Sequence, residues 1–284
     1  MAHPRCDELA RSLDDTLRAL REPWPAQWPG LALVLQRCLD RLGPIEESER
    51  ARAQPVARCA LDVAALVEAD GRQRHGAGCE PQYHSRLHIA DTLVCMTHLL
   101  LAQRRVDGRE SRGLGLQEAI ALLVMAGHDY LHTGLINRVP YELENRSLEA
   151  LRPVMRRHGL DARDEATVTH CILRTEPSQV KASHQAIAGR PFSLGDRDCL
   201  AVMVEEADIM ASTLPVTAEA QTHRLAVEWE VANPVAAKNL QSPKARLFFL
   251  EHAALFSTPA ARVLGLDEVK RREIESIKAT LPAA

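Results

Sequence analysis

Apolar residues recur at intervals of three and four along most of the chain, which is the spacing of a buried helix face. The clearest case is the run LALVLQRCLDRL. No segment alternates apolar and polar residues between turn signals, so strands are expected to be few or absent. The pattern predicts an all-α protein with helices over 31–42, 56–67, 88–101, 116–125, 166–173, 198–214 and 244–256.

Prolines and glycines divide these helical segments. Eight prolines fall where helices are expected to begin or end, because proline cannot donate the backbone hydrogen bond of a helix interior. Stretches at 71–78, 107–115 and 186–195 are expected to be loops. The chain shows no repeat and no linker. We therefore expect one compact multi-helix domain of roughly ten to fourteen helices.

The composition suits a folded domain with a sizeable core. The chain has 284 residues, of which 46% are hydrophobic and 26% charged, and its net charge is −3. This balance excludes disorder as the main description, and the lack of a basic excess argues against nucleic acid as a partner. The longest apolar run, 119–127, is far short of the ~20 residues that span a membrane. The N-terminus has no apolar signal core, so we expect a cytoplasmic protein without a membrane partner.

Three short segments place histidines and acids within apolar sequence. Tyr83–Ala90 (YHSRLHIA) carries two histidines four residues apart, which share one face if the segment is helical. Gly127–Gly134 (GHDYLHTG) follows the apolar stretch AIALLVMA, and Glu205–Met210 (EEADIM) interrupts an apolar helix. Buried histidines and acids are costly without partners. Each segment is a weak signal alone, but the three in this order indicate a site.

A divalent metal ion would use these side chains together, because it binds neutral imidazoles and carboxylates and keeps a position open for water. The predicted ligands are His88, His128, Asp129 and Asp208. Asp129 could also bridge to a second ion, and two ions ~3.5–4 Å apart are suited to phosphoryl transfer. His84, four residues before His88, is the predicted general acid.

Five short matches carry a resemblance to a known family. They are YHSRLHIA at 83–90, HDYLHTGLIN at 128–137, SLE at 147–149, ILRT at 172–175 and AD at 207–208. In these segments the chain resembles the HD superfamily of metal-dependent phosphohydrolases, and most closely the class I 3′,5′-cyclic nucleotide phosphodiesterases. The resemblance implies an all-α catalytic domain at 76–284 with a bimetal site between its helices. Residues 1–75 would form an N-terminal helical segment packed on that domain.

The resemblance also implies a role for each matching residue. The first ion, typically zinc, would be held by the four ligands named above, and the second, typically magnesium or manganese, would share Asp129. A hydroxide between the ions would attack phosphorus while His84 protonates the leaving oxygen, and the product would be a 5′-monophosphate. The waters of the second ion and the proton network would involve His132, Glu149 and Thr175. The nucleotide substrate would contact Tyr83, Asn137, Arg246 and Phe249.

Two positions depart from the family pattern, Ser85 and Arg246, and three glutamates compete for one role. Ser85 replaces an asparagine, although a hydroxyl can still hydrogen-bond locally. The segment RLFFLEHAALF aligns Arg246 with the glutamine that reads the purine edge and Phe249 with the aromatic clamp. Arginine only donates hydrogen bonds and prefers phosphate or carboxylate to a purine edge. The alternative is that the alignment is shifted and Arg246 is an ordinary surface residue. The Ser-x-Glu context favours the last of three neighbouring glutamates as the site glutamate: Glu142, Glu144 and Glu149.

Three other functions stay open at this point. Arg246 favours a different HD-type nucleotide phosphohydrolase or a phosphomonoesterase. A di-iron HD oxygenase would use a similar ligand set with further histidines, for which His132 is available. A non-catalytic HD module that senses a nucleotide or metal would usually have lost one of the ligands, and this sequence keeps all four.

Overall fold

The computed structural model describes residues 6–281, with side chains from residue 8 onward. Residues 1–5 and 282–284, which the predicted domain ranges include, lie outside the described part. Fourteen α-helices and a short 3₁₀ turn at Glu47–Glu49 make up this part. The helices are α1 Cys6–Arg21, α2 Leu31–Leu42, α3 Arg50–Gly76, α4 Arg86–Val106, α5 Leu116–Gly127, α6 Glu142–Arg157, α7 Ala162–Arg174, α8 Pro177–Ile187, α9 Arg197–Thr213, α10 Ala218–Trp229, α11 Pro234–Leu240, α12 Pro243–His252, α13 Pro259–Val263 and α14 Leu266–Thr280.

The all-α prediction is confirmed, since residues 6–281 contain no strand beyond one isolated bridge between Ile45 and Leu114. Four helices begin with proline as expected: α8, α11, α12 and α13. The loop expected at 71–78 is wrong in its first part, because α3 continues to Gly76. The glycine at position 71 thus lies inside a helix, where it makes room for a neighbour: a Cβ there would lie 2.5 Å from Cδ of Arg86.

Helix α4 is the centre of the fold. Every residue from Ser85 to Leu100 is buried, and α1, α2, α5, α9 and α13 pack around this helix. Helix α3 packs along α5, and one continuous hydrophobic core extends from Leu9 to Leu266. Helices α1 to α3 therefore share the core of the later helices, whereas a distinct role for residues 1–75 stays a prediction.

Four helix segments lie close together: the start of α4, the end of α5, the middle of α9 and the end of α10. The side chains discussed below come from these segments and from the turn that follows α5. None of the helices between residues 6 and 281 combines the length and the apolar character that a bilayer-spanning segment requires.

Candidate metal centre

Four side chains from three helices converge at one point. His88 comes from the first turn of α4, His128 caps the end of α5, Asp129 follows it, and Asp208 lies in α9. His88 Nε2 lies 3.2 Å from Asp129 Oδ2 and 3.0 Å from Asp208 Oδ1. His128 Nε2 lies 3.4 Å from each of the same two oxygens. The four atoms all lie within 4.8 Å of one another, so the predicted ligands are brought together.

The spacing of these atoms suits a single ion. Ligands about 2.0–2.1 Å from a tetrahedral ion stand roughly 3.3 Å apart, close to the nitrogen–oxygen distances in the cluster. The Nε2 atoms of His88 and His128 are buried, and neither makes a hydrogen bond of good geometry. Buried polar atoms are rarely left without a partner. The cluster could therefore bind a metal ion, which would satisfy both nitrogens.

The two carboxylates and two imidazoles of the cluster shift one another's pKa values. Burial alone would lower the pKa of His88, but the carboxylates of Asp129 and Asp208 raise it to about 10. Burial opposes ionisation of both aspartates, yet the neighbouring imidazoles, His128 foremost, hold their pKa values below the ordinary range. A metal ion bound by these side chains would replace the proton that His88 otherwise carries.

The apolar helix α5 delivers His128 and Asp129 to the cluster. Nδ1 of His128 lies 3.1 Å from the carbonyl oxygen of Met125, and a proton donated there leaves the Nε2 lone pair for an ion. Gly127 allows this approach, since a Cβ at that position would lie 2.8 Å from Cδ1 of Leu151. Leu151 of α6 and Val63 of α3 therefore lie directly against the end of α5, next to the two ligands.

His84 precedes α4 rather than lying on it, which corrects the expectation of one helical face shared with His88. The helix begins at Arg86, with Ser85 as its N-cap. The two imidazoles still lie near each other, with ring centroids 5.9 Å apart. His84 is thus beside the ligands but in a bend of the chain before α4, so other groups must hold its ring in place.

Glu228, at the end of α10, holds the segment that carries His84. Its Oε1 lies 2.5 Å from His84 Nδ1, and its Oε2 accepts hydrogen bonds from the backbone N–H groups of Tyr83 (2.7 Å) and His84 (3.0 Å). Burial would raise the pKa of Glu228, but these hydrogen bonds hold it below the ordinary value. The carboxylate therefore holds both the ring of His84 and the backbone that carries it. Glu228 has no motif around it in the sequence and was not among the predicted site residues.

His132 stacks on His84, with ring centroids 3.7 Å apart. The turn after α5 brings it back toward the cluster through Leu131, whose φ of 65° lies in the left-handed region. The N–H of Gly134 donates to His132 Nδ1 at 3.0 Å, so the ring proton is on Nε2. Burial and the nearby charge of His84 lower the pKa of His132 to about 3. His132 is therefore a neutral donor that can hold a water or a substrate oxygen, which fits its predicted role.

The side chains of His84, His132 and Glu228 form a second group whose ligand atoms lie within 4.8 Å of one another. Two ligands on one ion would stand about 3 Å or more apart. The 2.5 Å between His84 Nδ1 and Glu228 Oε1 is instead a charge-assisted hydrogen bond. In this arrangement the group is better suited to moving a proton than to holding an ion.

Tyr83 forms a wall of the site. Its ring lies against His88 and His84, with centroids 4.9 and 4.8 Å away. Its hydroxyl is hydrogen-bonded to Ser212 Oγ at 2.8 Å, and burial raises its pKa. The hydroxyl is thus committed to α9, and any substrate contact made by Tyr83 would come from its ring.

The preferred glutamate, Glu149, is not the buried one of the three: the buried one is Glu144. Glu149 is exposed on α6, whereas Glu144 is buried and accepts a 2.9 Å hydrogen bond from Asn137 Nδ2. Burial raises the pKa of Glu144, and the charges of Glu176 and Asp129 add to the effect. Asn137 is thereby occupied in positioning Glu144, since its Oδ1 also accepts from the N–H of Leu143.

Thr175 caps the end of α7, and its hydroxyl donates to the carbonyl of Ile172 at 2.8 Å. This bond is local to the helix and does not bring the hydroxyl to the ligands. The proton-network role given to Thr175 by the resemblance stays a prediction.

Arg246 is engaged with other parts of the protein. Its guanidinium forms a two-point ion pair with Glu273 at 2.6 and 2.8 Å, and donates to the carbonyl oxygens of Ser212 and Thr213. The guanidinium also lies 5.2 Å from the ring centroid of Phe249, which packs against the hydrophobic core. Arg246 thus ties the end of α9 to α14, and the substrate contacts given to Arg246 and Phe249 by the resemblance stay a prediction.

Neither a scan against models of protein families nor a search of curated proteins finds a match to this chain. The resemblance to HD phosphohydrolases consequently depends on the short motifs, and what the chain does is argued from the arrangement of its side chains.

Proposed function

We propose that this chain is a metal-dependent phosphohydrolase of the HD superfamily that opens a 3′,5′-cyclic nucleotide to its 5′-monophosphate. The observation that carries the proposal is the pairing of two arrangements side by side. One is the cation cluster of two imidazoles and two carboxylates, and the other is the His84–Glu228 pair beside it. A phosphodiester requires both a cation to balance its charge and an acid to protonate the leaving oxygen.

The predicted ligands fit a metal ion by donor type, spacing and unsatisfied nitrogens. Divalent ions at this cluster, zinc first and magnesium or manganese beside it, would supply charge stabilisation and an activated water. His88, His128, Asp129 and Asp208 would hold the first ion, and Asp129 has a free position for the second.

The chain's own groups supply the proton chemistry. Glu228 accepts from Nδ1 of His84, so the opposite nitrogen, Nε2, is directed to the substrate side and carries the transferable proton. His132 stacks on that ring and donates from its own Nε2 to a water or phosphoryl oxygen. After the leaving oxygen takes the proton, the neutral His84 is reprotonated from solvent, since its side chain is 19% exposed.

The proposal is tested with the full chain loaded with Zn²⁺ and Mn²⁺ or Mg²⁺, against the cyclic nucleotides of all four bases. We expect a 5′-monophosphate product by chromatography and a loss of roughly 10²–10⁴ in turnover for His84→Ala. The matched control is His223→Ala, because His223 is an exposed histidine of α10. Failure of the metal-loaded chain to hydrolyse any cyclic nucleotide would reject the substrate class.

A di-iron oxygenase is the second candidate, and the group formed by His84, His132 and Glu228 is the observation that favours it. Such an enzyme would need both imidazoles as ligands of a second iron. The proton on Nε2 of His132 and the short His84–Glu228 hydrogen bond favour the hydrolase instead. Elemental analysis separates the two, because an iron pair with a visible absorption band would support the oxygenase.

A further inference from the structure

The turn that carries His132 contains a strained backbone conformation. Leu131, one residue earlier, has a φ of 65°, in the left-handed region that residues with a branched side chain rarely adopt. Such a conformation persists where the surrounding contacts hold it in place. A neighbouring part of the protein must therefore fix the chain at this point.

An arginine in the last turn of α3 makes the contact that holds this turn. Nη1 of Arg74 donates a 2.7 Å hydrogen bond to the carbonyl oxygen of His132, 58 positions later in the chain. Nε of the same guanidinium lies 2.8 Å from Oδ2 of Asp70, one helical turn earlier. The carboxylate of Asp70 thus directs the guanidinium, and a charged donor binds a carbonyl more strongly than a neutral one does.

The backbone of the turn in its place sets the direction of the His132 ring. The N–H of Gly134 donates to Nδ1 of that ring at 3.0 Å, so the ring is tied to the backbone two residues further on. The same ring stacks on His84, with centroids 3.7 Å apart. A shift of the backbone at His132 would therefore change both the direction of its Nε2–H and the stack on His84.

Arg74 reaches His132 from behind the acid site. Arg74, Asp70, His84 and His132 all line a cavity of about 20 Å³. A cavity of that volume holds about one water molecule and has no room for a nucleotide. The position of Arg74 thus suits a group that acts through His132 rather than one that touches the substrate.

We propose that Arg74 is a positioning residue of the acid site. By holding the carbonyl of His132 it keeps the Nε2–H of His132 directed at the phosphoryl oxygen and the ring stacked on His84. The inference rests on the proposed hydrolysis, which gives these two histidines their roles. It gives the end of α3, which precedes all the motifs of the resemblance, a part in the reaction.

The kinetics of the full chain loaded with Zn²⁺ and Mg²⁺ test the assignment. Arg74→Met should lower kcat by about ten- to hundredfold and leave KM and metal content within about twofold, because a small misplacement of a catalytic donor slows the chemical step. The control Arg58→Met, at an exposed position of the same helix, should match the wild type. An unchanged kcat in Arg74→Met, or a rise in KM alone, would overturn the proposal.

A double-mutant cycle shows whether Arg74 acts through His132. In the His132→Ala background, Arg74→Met should change kcat by no more than about twofold, since the ring that it positions is gone. Losses that multiply in the double variant would mean that Arg74 acts by another route, and would contradict the assignment.

A measurement without turnover separates this inference from the proposed function. In the metal-loaded chain without substrate, the ring current of His132 shifts the NMR signal of the Cε1–H of His84, which is assigned by its loss in His84→Ala. His132→Ala should move this signal, and Arg74→Met should move it in the same direction at the same pH. A signal that stays at its wild-type position in Arg74→Met would overturn the positioning role. A moved signal in a chain that hydrolyses no cyclic nucleotide would uphold the hold of Arg74 on His132 and reject the proposed substrate.

Discussion

Glu228 holds His84 by three contacts: one from its Oε1 to the imidazole at 2.5 Å and two from its Oε2 to backbone N–H groups. The same carboxylate packs against Gly134, where a Cβ would lie 2.9 Å from Glu228 Cγ. Glu228 thus joins the end of α10 to the histidine before α4 and to the turn after α5. In the proposed hydrolysis this relationship would let His84 act as the proton donor, which can be tested.

Glu228→Gln should lower turnover without removing the metal. The amide cannot hold the imidazole and the two backbone N–H groups as a carboxylate does, so we expect a loss approaching the roughly 10²–10⁴ that an acid catalyst contributes. Turnover assays and metal analysis measure the two quantities. Glu219→Gln, at an exposed position of the same helix, is the control. Unchanged turnover in Glu228→Gln would show that the pair does not act in catalysis.

Glu144→Gln and Glu149→Gln form a matched pair on α6. Glu144 is buried and senses the charge of Asp129, whereas Glu149 is exposed. We expect Glu144→Gln to lower kcat by tenfold or more and Glu149→Gln to leave it within about twofold, since surface substitutions are usually neutral. Steady-state assays at saturating metal measure kcat for both variants. The reverse order would support the assignment made from the sequence motif.

Gly127→Ala should weaken metal binding from outside the ligand set. The added methyl would lie within 3 Å of both terminal carbons of Leu151, which is fully buried, so Leu151 or the end of α5 would have to shift, and a shift of α5 would carry His128 and Asp129 with it. We expect a loss of about 1–3 kcal/mol in unfolding free energy and a lower affinity for the ion. Gly76→Ala is the control, because a Cβ there meets no atom within 4 Å. Wild-type metal affinity in Gly127→Ala would mean that α5 does not set the ligand positions.

Glu205 should make the protein less stable as the pH rises above neutrality. Its two oxygens are buried without hydrogen bonds, and burial raises its pKa from 4.5 to about 8. The folded state therefore favours the protonated acid. The contribution of this acid to the unfolding free energy is complete below pH 4.5 and is lost as the pH rises through 8. Nε2 of His184 lies 3.6 Å from Oε2 of Glu205. Burial lowers the pKa of His184 from 6.5 to about 4, so its contribution to the unfolding free energy is complete above pH 6.5 and is lost as the pH falls from 6.5 to 4.

Between pH 6.5 and 8 the effect of Glu205 is thus unopposed by His184, and Glu206, with a pKa raised to about 7 by burial, adds to it. Denaturant titrations should show a fall on the order of 1 kcal/mol per pH unit in the wild type and a smaller fall in Glu205→Gln. The exposed Glu110→Gln should behave as the wild type. An equal fall in Glu205→Gln would remove Glu205 as its source.

The fold class and the ligand cluster could be predicted from the sequence because both depend on local patterns. Helix periodicity is written in consecutive residues, and the four ligands stand in short motifs. Glu228 and Glu144 could not be identified in this way. The former contacts a residue 144 positions away, and the latter differs from Glu149 only in which face of α6 it occupies. The ion pair of Arg246 with Glu273 could not be predicted either, because nothing near Arg246 in sequence indicates it.

The most direct test of the central claim is the metal stoichiometry and affinity of Asp208→Asn and of the control Asp198→Asn, which lies ten residues earlier on α9 and pairs with His170. If His88, His128, Asp129 and Asp208 grip one ion together, the wild type and Asp198→Asn will retain a tightly bound ion coordinated by two imidazoles in X-ray absorption spectra. Asp208→Asn will then bind that ion at least tenfold more weakly and lose the rise in melting temperature that the ion confers. Equal affinity in the two variants, or a spectrum without imidazole ligands, would contradict the account.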